Sequence, residues 1–149
     1  MKNSDTFRQN FKKLTGETDC TKSEIPKLLG ISYDAFKKIS DYGWIPSVKT
    51  LVRIADALDV SLEFLLGRTE DRDFARSEFP CGFHARYTAL KEEAGFTDYE
   101  VAKKLHITTS YTTNWKTHGS VPSLDNLTIL SEIFHVSLDY LLGRTDERR

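Results

Sequence analysis

Tyr33, Asp34, Lys37 and Lys38 recur at helical spacing, and so do Thr109, Ser110, Thr113 and Asn114. Side chains three and four residues apart share one face of a helix. The chemistry of these two faces is hydrogen bonding. An asparagine amide can bond adenine through two bonds, a threonine offers a hydroxyl and a methyl suited to thymine, and a lysine donates to guanine. Asp34 can only accept, which on a base edge means a cytosine amino group. Residues that carry catalysis or bind metals show no such pattern. His84, His106, His118 and His135 lack metal-ligand spacing and have no acid or nucleophile partner in sequence, and Cys20 and Cys81 lack CxxC spacing. Neither an enzyme nor a metal site is expected, and no cofactor is implied.

The helices that carry these faces must turn an apolar side inward. Ile31, Phe36 and Ile39 fall opposite the first polar face, and Ile107 and Trp115 opposite the second, so these are expected in a core. A turn at Gly30-Ile31-Ser32, or His106-Ile107-Thr108, precedes each, with Ser32 and Thr108 suited to capping the helix that follows. A second helix is expected before each turn, opened at Thr21 or Thr97 by a capping box that Glu24 or Glu100 completes. Further helices are expected at residues 7–14 and 83–94, after the caps Ser47 and Ser123, and after Ser61 and Ser137 up to Gly67 and Gly143. Apolar residues recur at three and four throughout and no segment alternates with period two, so the fold class is all-α.

The correspondence between the two faces is general. At an offset of 76, residues 7–73 align with 83–149 without a gap, and 21 of the 67 pairs are identical. The ends match best, VSLEFLLGRTEDR with VSLDYLLGRTDER. Two copies of this length are two small domains rather than turns of a solenoid. The expected organisation is a first domain over 1–67, a charged linker over 68–82 and a second domain over 83–149. Leu62, Leu65 and Leu66, with Leu138, Leu141 and Leu142, are expected in the core. Phe64 and Tyr140 are expected to face outward and to offer an interface.

A short helix, a three-residue turn and a second short helix make a helix-turn-helix, whose second helix enters the DNA major groove. The run FHARYTALKEEAGFTDYEVAKKLHITTS, followed by NW, GSVPSLDNL and VSLDYLLGRTD, resembles the Cro/cI-type (XRE) helix-turn-helix family of transcriptional regulators. TKSEIPKLLGIS and IPSVKTLVRIADALDVSLEFLLGRT in the first copy resemble it in the same order. The resemblance implies two tandem five-helix lambda-repressor-like domains that bind double-stranded DNA sequence-specifically, most simply as a transcriptional repressor. It implies that the third helix of each copy reads bases through the two polar faces. Phosphates would be held by Thr21, Lys22 and Lys27 in the first copy and by Thr97, Lys103 and Lys116 in the second. The family usually has glutamine where this chain has Lys22 and Asp98, and Asp98 should repel phosphate. Thr112 stands where the family usually has Ile or Val, which should loosen the second core.

Composition bounds the partners. The 149 residues are 39% hydrophobic and 11% aromatic, as in a globular chain, and the net charge of −1 gives no global attraction to nucleic acid or membrane. Attraction must be local. Lys22, Lys27, Lys37 and Lys38 outweigh Glu24 and Asp34 in the first copy, while Lys103, Lys104 and Lys116 outweigh Asp98 and Glu100 in the second. No apolar run exceeds three residues, so no membrane span is expected and a cytoplasmic location is. The alternative function is a protein-interaction adaptor in which one or both faces bind a regulatory protein partner. Two units in one chain are expected to form an intramolecular pseudo-dimer, with a homodimer as the alternative. A linker of 15 residues, if extended, reaches roughly 50 Å.

Overall fold

Ser4 opens the first helix: its hydroxyl accepts from the Phe7 amide at 3.1 Å, and Asp5 adds negative charge at the amide end. The computed structural model describes residues 3–78, 80–117 and 119–149. Phe79, in the expected linker, and His118, among the histidines discussed above, lie outside the described residues. The first unit runs α1 (Asp5–Gly16), α2 (Ile25–Leu29), α3 (Tyr33–Tyr42), α4 (Val48–Leu58) and α5 (Leu62–Leu65). The second repeats the order with α6 (Phe83–Ala94), α7 (Asp98–Leu105), α8 (Thr109–Thr117), α9 (Leu124–Phe134) and α10 (Leu138–Leu141). The described residues are all-helical apart from an isolated bridge between Asn3 and Trp44.

Serine caps set most starts. Ser32, Ser47, Ser61, Ser123 and Ser137 each accept from the amide three residues on, as their spacing predicts. α2 departs from expectation. It begins at Ile25 rather than after Thr21, because Pro26 has no amide hydrogen to donate to the carbonyl four residues back. Only half of the expected capping box forms there: Glu24 Oε1 accepts from the Thr21 amide at 2.9 Å, but the Thr21 hydroxyl pairs with Ser23. In the second unit Ala102 replaces the proline, and the complete box of Thr97 and Glu100 opens an eight-residue α7.

Each unit closes on its own apolar core. Phe7, Phe11, Ile39, Leu51, Ile54 and Leu62 are buried in the first, and Tyr87, Trp115, Leu127, Leu130 and Leu138 in the second. Phe11 links Phe7 and Phe36 by tilted ring contacts, whereas Trp115 meets Phe83 and Tyr87 edge-on at 5.6 and 5.4 Å. Ile31 and Ile107, expected in the core, are only half-buried, because each lies in a turn at the unit's edge. Leu66 and Leu142 are likewise half-buried, since α5 and α10 stop one residue before them.

The chain divides between Phe74 and Ala75. The segment 68–82, expected to be a charged linker, makes contacts with each unit. On the first unit Arg68 pairs with Glu63 at 3.1 Å and Arg72 with Glu17. On the second, the Ala75 carbonyl accepts from Thr145 at 2.7 Å, while Ser77 bonds the Arg144 carbonyl and Asp146. These contacts tie residues 68 and 72 to the first unit and residues 75 and 77 to the second. Gly143 permits the docking. Its φ is +73°, and a Cβ there would lie 1.8 Å from the Cys81 carbonyl oxygen.

Candidate nucleic-acid interface

In the second unit α7 ends at His106 in the left-handed conformation, and the Ile107 amide returns to the Ala102 carbonyl at 3.0 Å. The chain then turns directly into α8. Trp115, 3% exposed, anchors the inner face of α8. Thr112 lies beside it at 1% exposed, and its hydroxyl donates to the Thr109 carbonyl at 2.7 Å, so the polar atom is satisfied where an aliphatic side chain was anticipated. The opposite face carries Thr109, Ser110, Thr113 and Asn114, all exposed. Two of these are oriented by neighbours: Thr113 Oγ1 donates to the Thr109 carbonyl at 3.1 Å, and Ser110 Oγ lies 2.6 Å from Thr108 Oγ1. Donating to the backbone leaves the threonine oxygen free to accept.

α3 presents the corresponding face in the first unit. Phe36 and Ile39 are buried beneath it, and Tyr33, Asp34, Lys37 and Lys38 are exposed above. Its cations have protein neighbours. Lys37 Nζ lies 3.4 Å from Asp41, and Lys38 Nζ lies 5.5 Å from the centre of the half-buried Trp44 ring. Both remain on the surface, where such contacts are weak and easily exchanged.

The six expected phosphate contacts are also all exposed: Thr21, Lys22 and Lys27 beside α2, and Thr97, Lys103 and Lys116 around α7 and α8. Their surroundings differ. Asp98, in the first turn of α7, accepts from Tyr87 Oη at 2.9 Å, Lys91 Nζ at 2.9 Å and Lys116 Nζ at 3.3 Å. Burial pushes the Asp98 carboxyl up, but the bonds from Lys91, Tyr87 and Lys116 outweigh it and hold the group below the usual aspartate range. Burial and the same aspartate drive the Tyr87 phenol well above its ordinary value. Sequence reading singled out Asp98 and Lys116 but missed Tyr87 and Lys91, which come from α6. A signal existed: a tyrosine hydroxyl at the core position occupied by Phe11 in the first copy requires a partner.

Phe64 and Tyr140 are less exposed than the outward placement expected of them. Phe64 is buried, with the Arg72 guanidinium 6.0 Å from its ring centre, and half-buried Tyr140 has Arg86 at 4.0 Å and Arg148 at 5.6 Å. The cause is shared. After each GRT the chain turns back, and Arg72 pairs with Glu17 at the end of α1 and Arg148 with Glu93 in α6. Each arginine lowers the pKa of its glutamate through that bond.

Residues 88–141 match the helix-turn-helix family. The second unit carries this match and is similar to helix-turn-helix domains of the XRE type. The chain is 36% identical over 61 residues to the HTH-type transcriptional regulator ImmR of Bacillus subtilis, covering 41% of this chain and 48% of that protein. It is 38% identical over 48 residues to the cryptic phage CTXphi transcriptional repressor RstR of Vibrio cholerae, covering 32% of this chain and 43% of the repressor. The chain thus spans about half the length of the curated relatives it matches. No solved structure matches it. The matched residues contain all of α7, α8 and α9, so the exposed face of α8 and the Asp98 cluster lie within them, apart from Tyr87 at their edge.

Proposed function

We propose that the chain binds duplex DNA sequence-specifically through both units and acts as a transcriptional repressor. The observation that carries this reading is the face of α8: four exposed hydrogen-bonding side chains on a helix anchored by a buried tryptophan, within residues that match the helix-turn-helix family. Rigid backing is what a reading helix needs, since base-edge contacts depend on register. Relatives named as a transcriptional regulator and a phage repressor support the reading. The first unit takes the same part because α3 presents Tyr33, Asp34, Lys37 and Lys38 in the same place within the repeat. Since the two faces differ, the two half-sites differ in sequence. Binding of the whole chain to duplexes at several salt concentrations tests the proposal. Affinity should fall linearly on a log–log plot as salt rises, because lysine–phosphate contacts release counterions. Absence of salt-sensitive duplex binding would refute it and favour the adaptor.

A further inference from the structure

Asp98 places a carboxylate beside Lys116, one of the groups of the second unit expected to meet phosphate. The repeat shows that the arrangement is particular to this unit: Phe11, Thr15, Lys22 and Ser40 stand at the positions of Tyr87, Lys91, Asp98 and Lys116. The cluster holds two lysines and one aspartate, and the two lysines are not equivalent. The Lys91 side chain is 12% exposed and lies 5.4 Å from the centre of the Tyr87 ring, so it is committed to the protein. Lys116, at the end of α8, is 44% exposed and holds Asp98 at 3.3 Å through a single flexible contact. An ammonium group in that position exchanges one oxyanion for another at little cost.

We infer that Asp98 is an internal stand-in for a DNA phosphate, occupying Lys116 in the free protein and lowering the second unit's sequence-independent hold on DNA. The inference rests on the DNA-binding reading above. When a backbone phosphate approaches, Lys116 must leave the carboxylate, and the carboxylate charge then stays a few ångströms from the phosphate, within the roughly 8–10 Å over which salt leaves charges unscreened. Both effects oppose contacts that carry no sequence information. Base contacts from Thr113 and Asn114 are untouched by them. The first unit, with Lys22 in place of the aspartate, has no such brake.

The test compares the native chain with Asp98→Asn on a duplex of random sequence and on the preferred duplex, across a salt series. The amide keeps an oxygen for Tyr87 and Lys91 and removes the charge. Asp98→Gln is the second variant should the asparagine chain melt early. The expected result is a several-fold gain in affinity for both duplexes and a salt slope steeper by about one. Adding Lys116→Gln to the Asp98→Asn chain should return the slope to the native value. Unchanged or weaker binding of random duplex by both neutral variants, with the native slope retained, overturns the inference while leaving DNA binding intact. Loss of salt-sensitive binding by the native chain itself would overturn the underlying reading as well.

Discussion

The two units bury matching apolar positions and differ in where they place charge. Ahead of α2 the first unit exposes Lys22, whereas at the start of α7 the second holds Asp98 among Tyr87, Lys91 and Lys116. In the last helix the pair Glu63–Arg68 is partly exposed in the first unit, while the corresponding Asp139–Arg144 is buried, with side chains 2% and 7% exposed. Core packing must hold in both copies for either to fold. Polar edges are free to diverge once it does.

The sharpest way to break the comparison is at the buried pair. Asp139→Ala removes the buried carboxylate that pairs with Arg144 in the second unit and should cost about 3–5 kcal/mol. Glu63→Ala, at the corresponding surface pair, should cost about 1 kcal/mol or less. Denaturant unfolding can follow the units separately, because Trp44 and Trp115 are the chain's 2 tryptophans and fall one to each unit. Equal losses would mean that the pairs are equivalent after all.

Next in size is the reading face. Asn114→Ala should lose about 1–3 kcal/mol on the preferred duplex and much less on random sequence. An equal loss on both would demote Asn114 to a phosphate contact.

Helix starts give a smaller contrast. Thr97→Ala removes the hydroxyl of a complete capping box and should destabilise the second unit by about 1 kcal/mol. Thr21→Ala should cost less, since the Thr21 hydroxyl bonds Ser23 rather than a helix amide. Thermal unfolding of the two variants ranks them.

These contrasts also show what was legible in the sequence. Capping serines and the inward set of Phe36, Ile39 and Trp115 could be read because both depend on residues within a turn or two. Pro26 could have been read as a late start for α2, since a proline prefers the first turn of a helix. The aromatic placement of Phe64 and Tyr140 could not be read from periodicity. It depends on Arg72 and Arg148 returning to glutamates 55 residues away, a contact that no local rule supplies. The identity of Glu17 with Glu93 and of Arg72 with Arg148 across the repeat was the available trace of it.

The smallest predicted effect is on pH. Asp98 has a lowered folded-state pKa, so its stabilisation is present above the ordinary value of 3.8 and is lost as pH falls through the lower folded value. Tyr87 is raised, so its contribution is present below 10.0 and is lost as pH climbs toward the raised value. Lys22 and Phe11 stand at these positions in the first unit. Trp115 emission should therefore show the second unit weakening at both extremes in a Trp44→Phe chain. Melting temperatures flat across both ranges would contradict the assignment.

Selection of bound duplexes from a random pool, using the whole chain, tests the central claim most directly. Two reading helices with unlike side chains predict enrichment of a site with two unlike halves, one set by Tyr33, Asp34, Lys37 and Lys38 and the other by Thr109, Ser110, Thr113 and Asn114. No enriched sequence, or a single half-site unaffected by changes to one of the two faces, would contradict the claim that both units read DNA.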